Sequence, residues 1–284
     1  MNKIRWKTEE IEVLKNNYSN TPTDKLLELL PNRSYVSIKL KGRDLNLSRY
    51  YNKRRIIKLD KLLEDTYESA YWLGFLYADG NFYNNKRLTL TLSIKDENHI
   101  KKFIKFLEME DTTCIRYTEI NACVSFSDCE SVGKLCDRYN ILNNKTENPP
   151  LLPYIDNKDL FLSFIIGFID GDGCIKKVSR NKDKNYYRDS YNISIKCHSS
   201  WLYNLQYITN FIYYICECKP SNVHLSKENY AIVNIGTKKV LLNLKDKALK
   251  FKLPVLKRKW DNINNETCGY ININLSNTYL RKEG

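Results

Sequence analysis

The chain has 284 residues, 42% hydrophobic and 28% charged, enough for one large domain or two modest ones with a buried core. Lys and Arg number 46 against 33 Asp and Glu, a formal charge of +13 that points to an acidic polymer as partner, nucleic acid ahead of an anionic membrane surface. Nine Cys without zinc-type spacing, no apolar signal core in MNKIRWKTEE and no apolar run of ~18 residues argue against a disulfide scaffold, a zinc or redox enzyme, and a membrane protein.

Residues 1–50 read as three short helices. Thr8 is an N-cap candidate, with Ile11, Leu14 and Tyr18 following at helical spacing. Thr23 and Asp24 restart a helix that carries Leu26, Leu27, Leu29 and Leu30. Ser34 caps a third helix running to Leu45. In that third helix Val36, Ile38, Leu40 and Leu45 are expected on the apolar side. Tyr35, Ser37, Lys39, Lys41 and Arg43 are expected on the side that meets DNA. The layout is that of a helix-turn-helix module and is similar to the Myb-like modules appended to mobile-element nucleases. Residues 51–65 form a basic linker, part of SRYYNKRRIIKLDK, suited to a phosphate backbone.

From residue 66 the chain is written twice. YWLGFLYADGNF at Tyr71 and FIIGFIDGDGCI at Phe164 are near copies, each apolar on all sides and each closing on Asp-Gly. A helix apolar all round wants burial. Gly74 and Ala78 sit four apart, as do Gly167 and Gly171, so two such helices can pack backbone to backbone. That packing brings Asp79 and Asp172 together, with Gly80 and Gly173 expected in the left-handed helix-ending position. Two carboxylates at the negative ends of two helices repel, and a hard divalent cation, Mg²⁺ or Mn²⁺, relieves them. After each motif an alternating run predicts a strand with one open face. Arg87, Thr89, Thr91, Ser93 and Lys95 lie on that face in one half, and Arg188, Ser190, Asn192, Ser194 and Lys196 in the other; both runs end on Ser-Ile-Lys. Helix, strands and helix then follow in both copies.

The paired segments resemble the two motifs of a monomeric LAGLIDADG homing endonuclease. The resemblance covers residues 66–155 and 156–265 as two halves, leaving a tail at 266–284. It implies an α+β fold, a pseudo-two-fold αββαββα duplication with two curved antiparallel sheets over the DNA major groove. It also implies metal-binding carboxylates at Asp79 and Asp172 with Gly80 and Gly173 adjoining, and a basic residue near the end of each half. Lys145 and Lys259 are the catalytic candidates for that last role, with Lys257 and Arg258 competing for the second place. The sixth motif position is Tyr77 in one copy and Asp170 in the other, a change read as tolerated. The expected function is metal-dependent, site-specific cleavage of double-stranded DNA by a monomer, on a long asymmetric target. The alternative is a non-cleaving relative, such as an intron RNA maturase or a DNA-binding regulator. The expected location is the cytoplasm of a bacterial or phage-infected cell, or an organelle if organelle-encoded.

Overall fold

The computed structural model describes residues 5–48, 57–109, 114–183, 186–264 and 271–272, with the side chains of 178–190 and 271–272 left undescribed. The chain divides into two compact units, Met1–Ile56 and Ile57–Gly284. Arg49 to Ile56, which include the first part of the basic linker, and most of the tail fall outside the described residues.

The first unit holds α1 (Thr8–Asn17), α2 (Thr23–Leu29) and α3 (Tyr35–Asp44) around Leu14, Tyr18, Leu26, Leu30 and Ile38. The cap of α1 is Lys7 rather than Thr8, because Glu10 reaches back and accepts from the Lys7 amide at 2.8 Å. Arg33 also binds Glu10, through Nε at 2.9 Å and Nη2 at 2.6 Å, and lies over Trp6, 4.4 Å from the ring centroid. Ser34 caps α3 as expected, accepting from Ser37 at 3.2 Å. The faces of α3 differ from the expected ones. Val36 and Leu40 are 65% and 46% exposed, in one surface groove with Tyr35, Lys39 and Arg43, while Ser37 and Lys41 are half-buried. A period of 3.6 puts 36 and 40 beside 39 and 43, and gives the core to Ile38 and Gly42.

The second unit is built on two buried helices, α4 (Tyr67–Asp79) and α7 (Lys158–Asp172). Their N-caps, Thr66 and Asn157, each accept from the amide three residues on, at 3.1 Å. The two helices cross backbone to backbone. A Cβ added at Gly74 would lie 1.9 Å from the Phe164 carbonyl oxygen, and one at Gly167 would lie 1.9 Å from that of Tyr71. The glycine hydrogens therefore point at carbonyls, the geometry of a Cα–H···O contact. One at Gly171 would meet Ala78 Cβ at 2.2 Å.

Each helix then feeds a sheet. The first sheet has order β1 (Gly80–Tyr83), β2 (Arg87–Ser93), β4 (Asn121–Phe126), β3 (Arg116–Tyr117). The second has β5 (Gly173–Asp183), β6 (Tyr186–His198), β8 (Tyr230–Ile235), β7 (His224–Leu225), with β9 (Ile271–Asn272) on β6. All pairs are antiparallel. One face of each sheet is buried by α5 (Glu97–Phe106) and α6 (Cys129–Tyr139), or by α8 (Leu202–Ile215) and α9 (Lys238–Lys250). A short α10 (Lys257–Trp260) closes the second half. The unit is thus an α+β duplication of the predicted order.

Three local expectations are corrected. Gly80 and Gly173 are extended, with φ of −71° and −80°, and not left-handed. They are glycine because a Cβ would meet the Leu76 oxygen at 2.5 Å or the Ile169 oxygen at 2.4 Å. The β2 strand ends at Ser93, and Lys95 lies in a 3₁₀ turn, Ile94–Asp96. The matching Ser-Ile-Lys ends are also not equivalent. Gly80 pairs with Leu90 and Gly173 with Ile195, so Thr89 corresponds to Ser194 and Thr91 to Lys196, four residues from the motif match. An even shift keeps every side chain on its predicted face.

Candidate functional site

Asp79 and Asp172 are the last residues of α4 and α7, where the crossing helices end side by side. A Cβ at Gly171 would stand 3.5 Å from Asp79 Oδ2. Both residues keep more than a third of their surface open to water, although protein packs closely around the carboxylates. That packing, followed by the charge of Asp172, raises the Asp79 pKa to about 6. Burial likewise raises Asp172, opposed by Lys145 and Lys259. The Cys197 thiol donates to Asp172 Oδ2 at 3.9 Å, and burial pushes that thiol up.

Lys145 and Lys259 meet the same place from below. Lys145 Nζ donates to the carbonyls of Tyr77 at 2.5 Å and Ala78 at 2.6 Å. Lys259 Nζ donates to Asp170, to Gly171 at 3.2 Å and to Gly173 at 2.7 Å. Each ammonium thus closes the carbonyl end of one motif helix and offsets its negative pole. Burial lowers the pKa of both lysines, with the carboxylates pulling the other way. Lys257 is exposed, and Arg258 binds Asp96 through Nε at 2.7 Å and Nη2 at 2.5 Å, so Lys259 is the member of the KRK run that reaches the helix end.

The donor set fits a hard, partly hydrated divalent cation. Among the described residues no cluster of three or more His, Cys, Asp or Glu exists that could cage an ion. Two water-accessible carboxylates, both raised first by burial, suit an ion sharing its shell with water and a phosphate. Gly80 and Gly173, also metal candidates, begin strands, and the Gly173 carbonyl is taken by Lys259.

The expected linkage to pH has a definite sign. With a folded pKa of about 6, above the ordinary 3.8, ionised Asp79 costs stability, and the cost enters as pH rises from 3.8 through 6. Solvent access keeps it modest. The metal-free protein with Asp79→Asn is expected to melt higher than the parent at pH 8. That difference is expected to shrink below pH 6, as read by scanning calorimetry.

The open sheet faces carry the predicted strand residues. Arg87, Thr91 and Ser93 are exposed and Thr89 is half-buried, sharing a hydrogen bond with Ser125 at 2.7 Å. Asn192 and Ser194 are half-buried and Lys196 is exposed, its Nζ 3.8 Å from the Tyr230 ring centroid. The side chains of Arg188 and Ser190 lie outside the described residues. Sequence reasoning overlooked Asn81, Tyr83, Lys176 and Asn234 on the same faces, although the alternation in GNFY and YAIVNI marks three of them. Arg87 stacks 5.0 Å over Tyr83. It also overlooked the role of the sixth motif position. Asp170 is fully buried and accepts from Tyr71 Oη at 2.6 Å, Trp260 Nε1 at 2.6 Å and the Leu256 amide at 2.9 Å. Tyr77, its counterpart, donates to the Leu151 carbonyl at 2.8 Å.

Residues 165–259 match the family model described as LAGLIDADG endonuclease. A search of curated proteins returned no match. Among solved structures, the LAGLIDADG meganuclease I-CpaMI bound to uncleaved DNA is similar at 13% identity and a TM-score of 0.50, over 76% of this chain and 94% of that one. The LAGLIDADG homing endonuclease I-GzeII in complex with a DNA target shares 12% identity over 75% and 93%, with a TM-score of 0.49. I-SmaMI, bound to uncleaved DNA in the presence of calcium ions, shares 11% over 70% and 94%, with a TM-score of 0.47. At these identities the likeness concerns the fold. The matched segment contains Asp170, Asp172 and Lys259.

Proposed function

We propose that the protein cuts both strands of a long, asymmetric DNA site, since residues 165–259 match the LAGLIDADG endonuclease model and the first half repeats the same architecture. The observation that carries this reading is the meeting of Asp79 and Asp172 at the crossed helix ends, with Lys145 and Lys259 beside them. Asp79 and Asp172 would hold divalent ions, Mg²⁺ or Mn²⁺, which when bound polarise phosphodiester oxygens and supply an activated water. Lys145 and Lys259 hold positive charge where a phosphate approaches and keep the helix ends closed. The two open faces, with Arg87, Thr89, Thr91 and Ser93 on one and Asn192, Ser194 and Lys196 on the other, supply donors, acceptors and charge for a major groove. Their different chemistry suits a site without two-fold symmetry. A single chain carrying both halves works as a monomer. The α3 groove, with Tyr35, Val36, Lys39, Leu40 and Arg43, extends the contact with apolar and cationic groups. Substituting both Lys39 and Arg43 by Ala is expected to lower the salt dependence of binding, d log K/d log[salt], by about two units if both meet phosphates.

The reading is tested by capturing duplexes from a randomised library in Ca²⁺, then exchanging into Mg²⁺ and mapping strand ends. Capture of a discrete sequence followed by cuts in both strands is expected. Capture without cutting in Mg²⁺ or Mn²⁺ would place the chain with non-cleaving relatives. Preference for RNA at the capture step would favour a maturase.

A further inference from the structure

The segments that carry Lys145 and Lys259 each take part of their support from the opposite half. Residues 254–260 follow α9 of the second half, yet two of the side chains that hold them, Lys102 and Asp96, belong to the first. Lys102 of α5 donates to the carbonyls of Pro254 at 3.0 Å and Val255 at 3.1 Å. Arg258 makes its two-pronged pair with Asp96, the residue that opens α5 and is itself only 11% exposed. Asp170 holds the Leu256 amide and the Trp260 indole, and is held in turn by Tyr71 of α4. Lys259 therefore stands between two fixed neighbours, Arg258 and Trp260. The reciprocal contacts hold the other lysine. Trp201 Nε1 donates to the Lys145 carbonyl at 3.2 Å, Ser200 Oγ to that of Thr146 at 2.7 Å, and Asn204 Nδ2 to that of Pro150 at 3.0 Å.

The ladder registers make these clamps equivalent in position. Leu90 corresponds to Ile195, so Asp96 corresponds to Trp201. One turn of the fold, just past the second strand, performs the same task in both halves with different chemistry. In the first half it offers a carboxylate to a guanidinium, and in the second an indole to a carbonyl. A two-pronged ionic pair orients its partner more strongly than a single neutral bond. Arg258 is also 56% exposed on its side chain, so salt reaches this clamp.

We propose that Asp96, acting through Arg258, is a positioning residue for Lys259, and that Trp201 is its counterpart for Lys145, so that each strand's cut is set by a residue of the opposite half. The inference rests on the cleavage reading above and adds a strand-specific consequence to it. Loss of the Asp96 pair loosens one lysine and leaves the other in place.

The experiment follows nicking of each end-labelled strand of a captured target in Mg²⁺. Lys259→Met and Lys145→Met first identify which strand depends on which lysine. Asp96→Asn and Arg258→Gln are then expected to slow the Lys259-dependent strand by about tenfold, a loss of one well-oriented charged contact. The other strand is expected to stay within about twofold, so nicked DNA accumulates. Trp201→Phe, which keeps the ring and removes the donor, is expected to shift the bias toward the opposite strand. Melting curves accompany each variant. Should Asp96→Asn not fold, Arg258→Gln, on the exposed partner, carries the test. Equal slowing of both strands, or a lower melting temperature without strand bias, overturns the proposal and leaves the nuclease reading standing. A parent protein that cuts neither strand of its captured target overturns both.

Discussion

Asp79→Asn and Asp172→Asn are each expected to reduce double-strand cleavage by roughly three orders of magnitude, while DNA capture in Ca²⁺ stays within about threefold. The physical case lies in the contrast between what each carboxylate costs and what it enables. Each closes a helix whose macrodipole is already negative there, burial raises the proton affinity of both, and the charge of Asp172 adds to that of Asp79. Neither forms a salt bridge with a side chain among the described residues; the lysines nearby are spent on carbonyls. Groups so placed do not stabilise the fold. Asn keeps the shape and removes the charge, so folding and DNA contact persist while a hard cation loses half its anionic ligands. Filter binding in Ca²⁺ and strand-resolved kinetics in Mg²⁺ separate these effects. Lower binding in proportion to lower cleavage would mean that the carboxylates hold the DNA-binding form and not the chemistry.

Gly167→Ala and Gly74→Ala are expected to be the most damaging single-methyl changes to the fold. An added Cβ would stand 1.9 Å from a carbonyl oxygen of the facing helix, and backbone cannot rotate aside. The helices would have to part by more than about 1 Å, and the rings of Phe75, Phe164 and Phe168, all fully buried, would lose their packing. A cost of at least about 4 kcal/mol follows from overpacking of a close-packed core. For a unit of this size that is a fall of about 8–16 °C in melting temperature. Gly133 in the middle of α6 is the control. Its added Cβ would meet only the Asn85 oxygen, at 3.8 Å, so Gly133→Ala is expected to stabilise by about 0.5–1 kcal/mol through helix propensity. Equal outcomes at positions 133 and 167 would refute the backbone-contact account of the α4–α7 crossing.

The duplication, the buried helices and the open sheet faces were legible because each depends on a periodicity that residues state directly. Gly74 and Gly167 announce close approach by their spacing, and RLTLTLS announces a two-faced strand by its alternation. Where prediction failed, the deciding contact lay elsewhere in the chain or in the backbone. Gly80 was expected left-handed because Asp-Gly ends many helices, yet the Leu76 carbonyl is what forbids a side chain there. In the third helix Val36 and Leu40 are apolar, but a period of 3.6 turns them away from Ile38 and leaves them exposed. The shared Ser-Ile-Lys suggested a register that the Gly80–Leu90 and Gly173–Ile195 pairs do not follow. Tyr77 against Asp170 looked like drift because their partners, the Leu151 carbonyl and Trp260, are 74 and 90 residues away. The same distance in sequence concealed Asp96 and Trp201 as clamps.

The measurement that tests the central claim most directly is a paired count of strand ends. Genomic DNA is incubated in Mg²⁺ with the parent protein, with Asp79→Asn, and with Asp172→Asn, and the ends are sequenced. Coincident breaks on both strands at discrete sites are predicted for the parent, lost in EDTA and lost in both variants. Breaks that persist in either variant at the parent's rate, or that need no divalent ion, would contradict a site built on these two carboxylates.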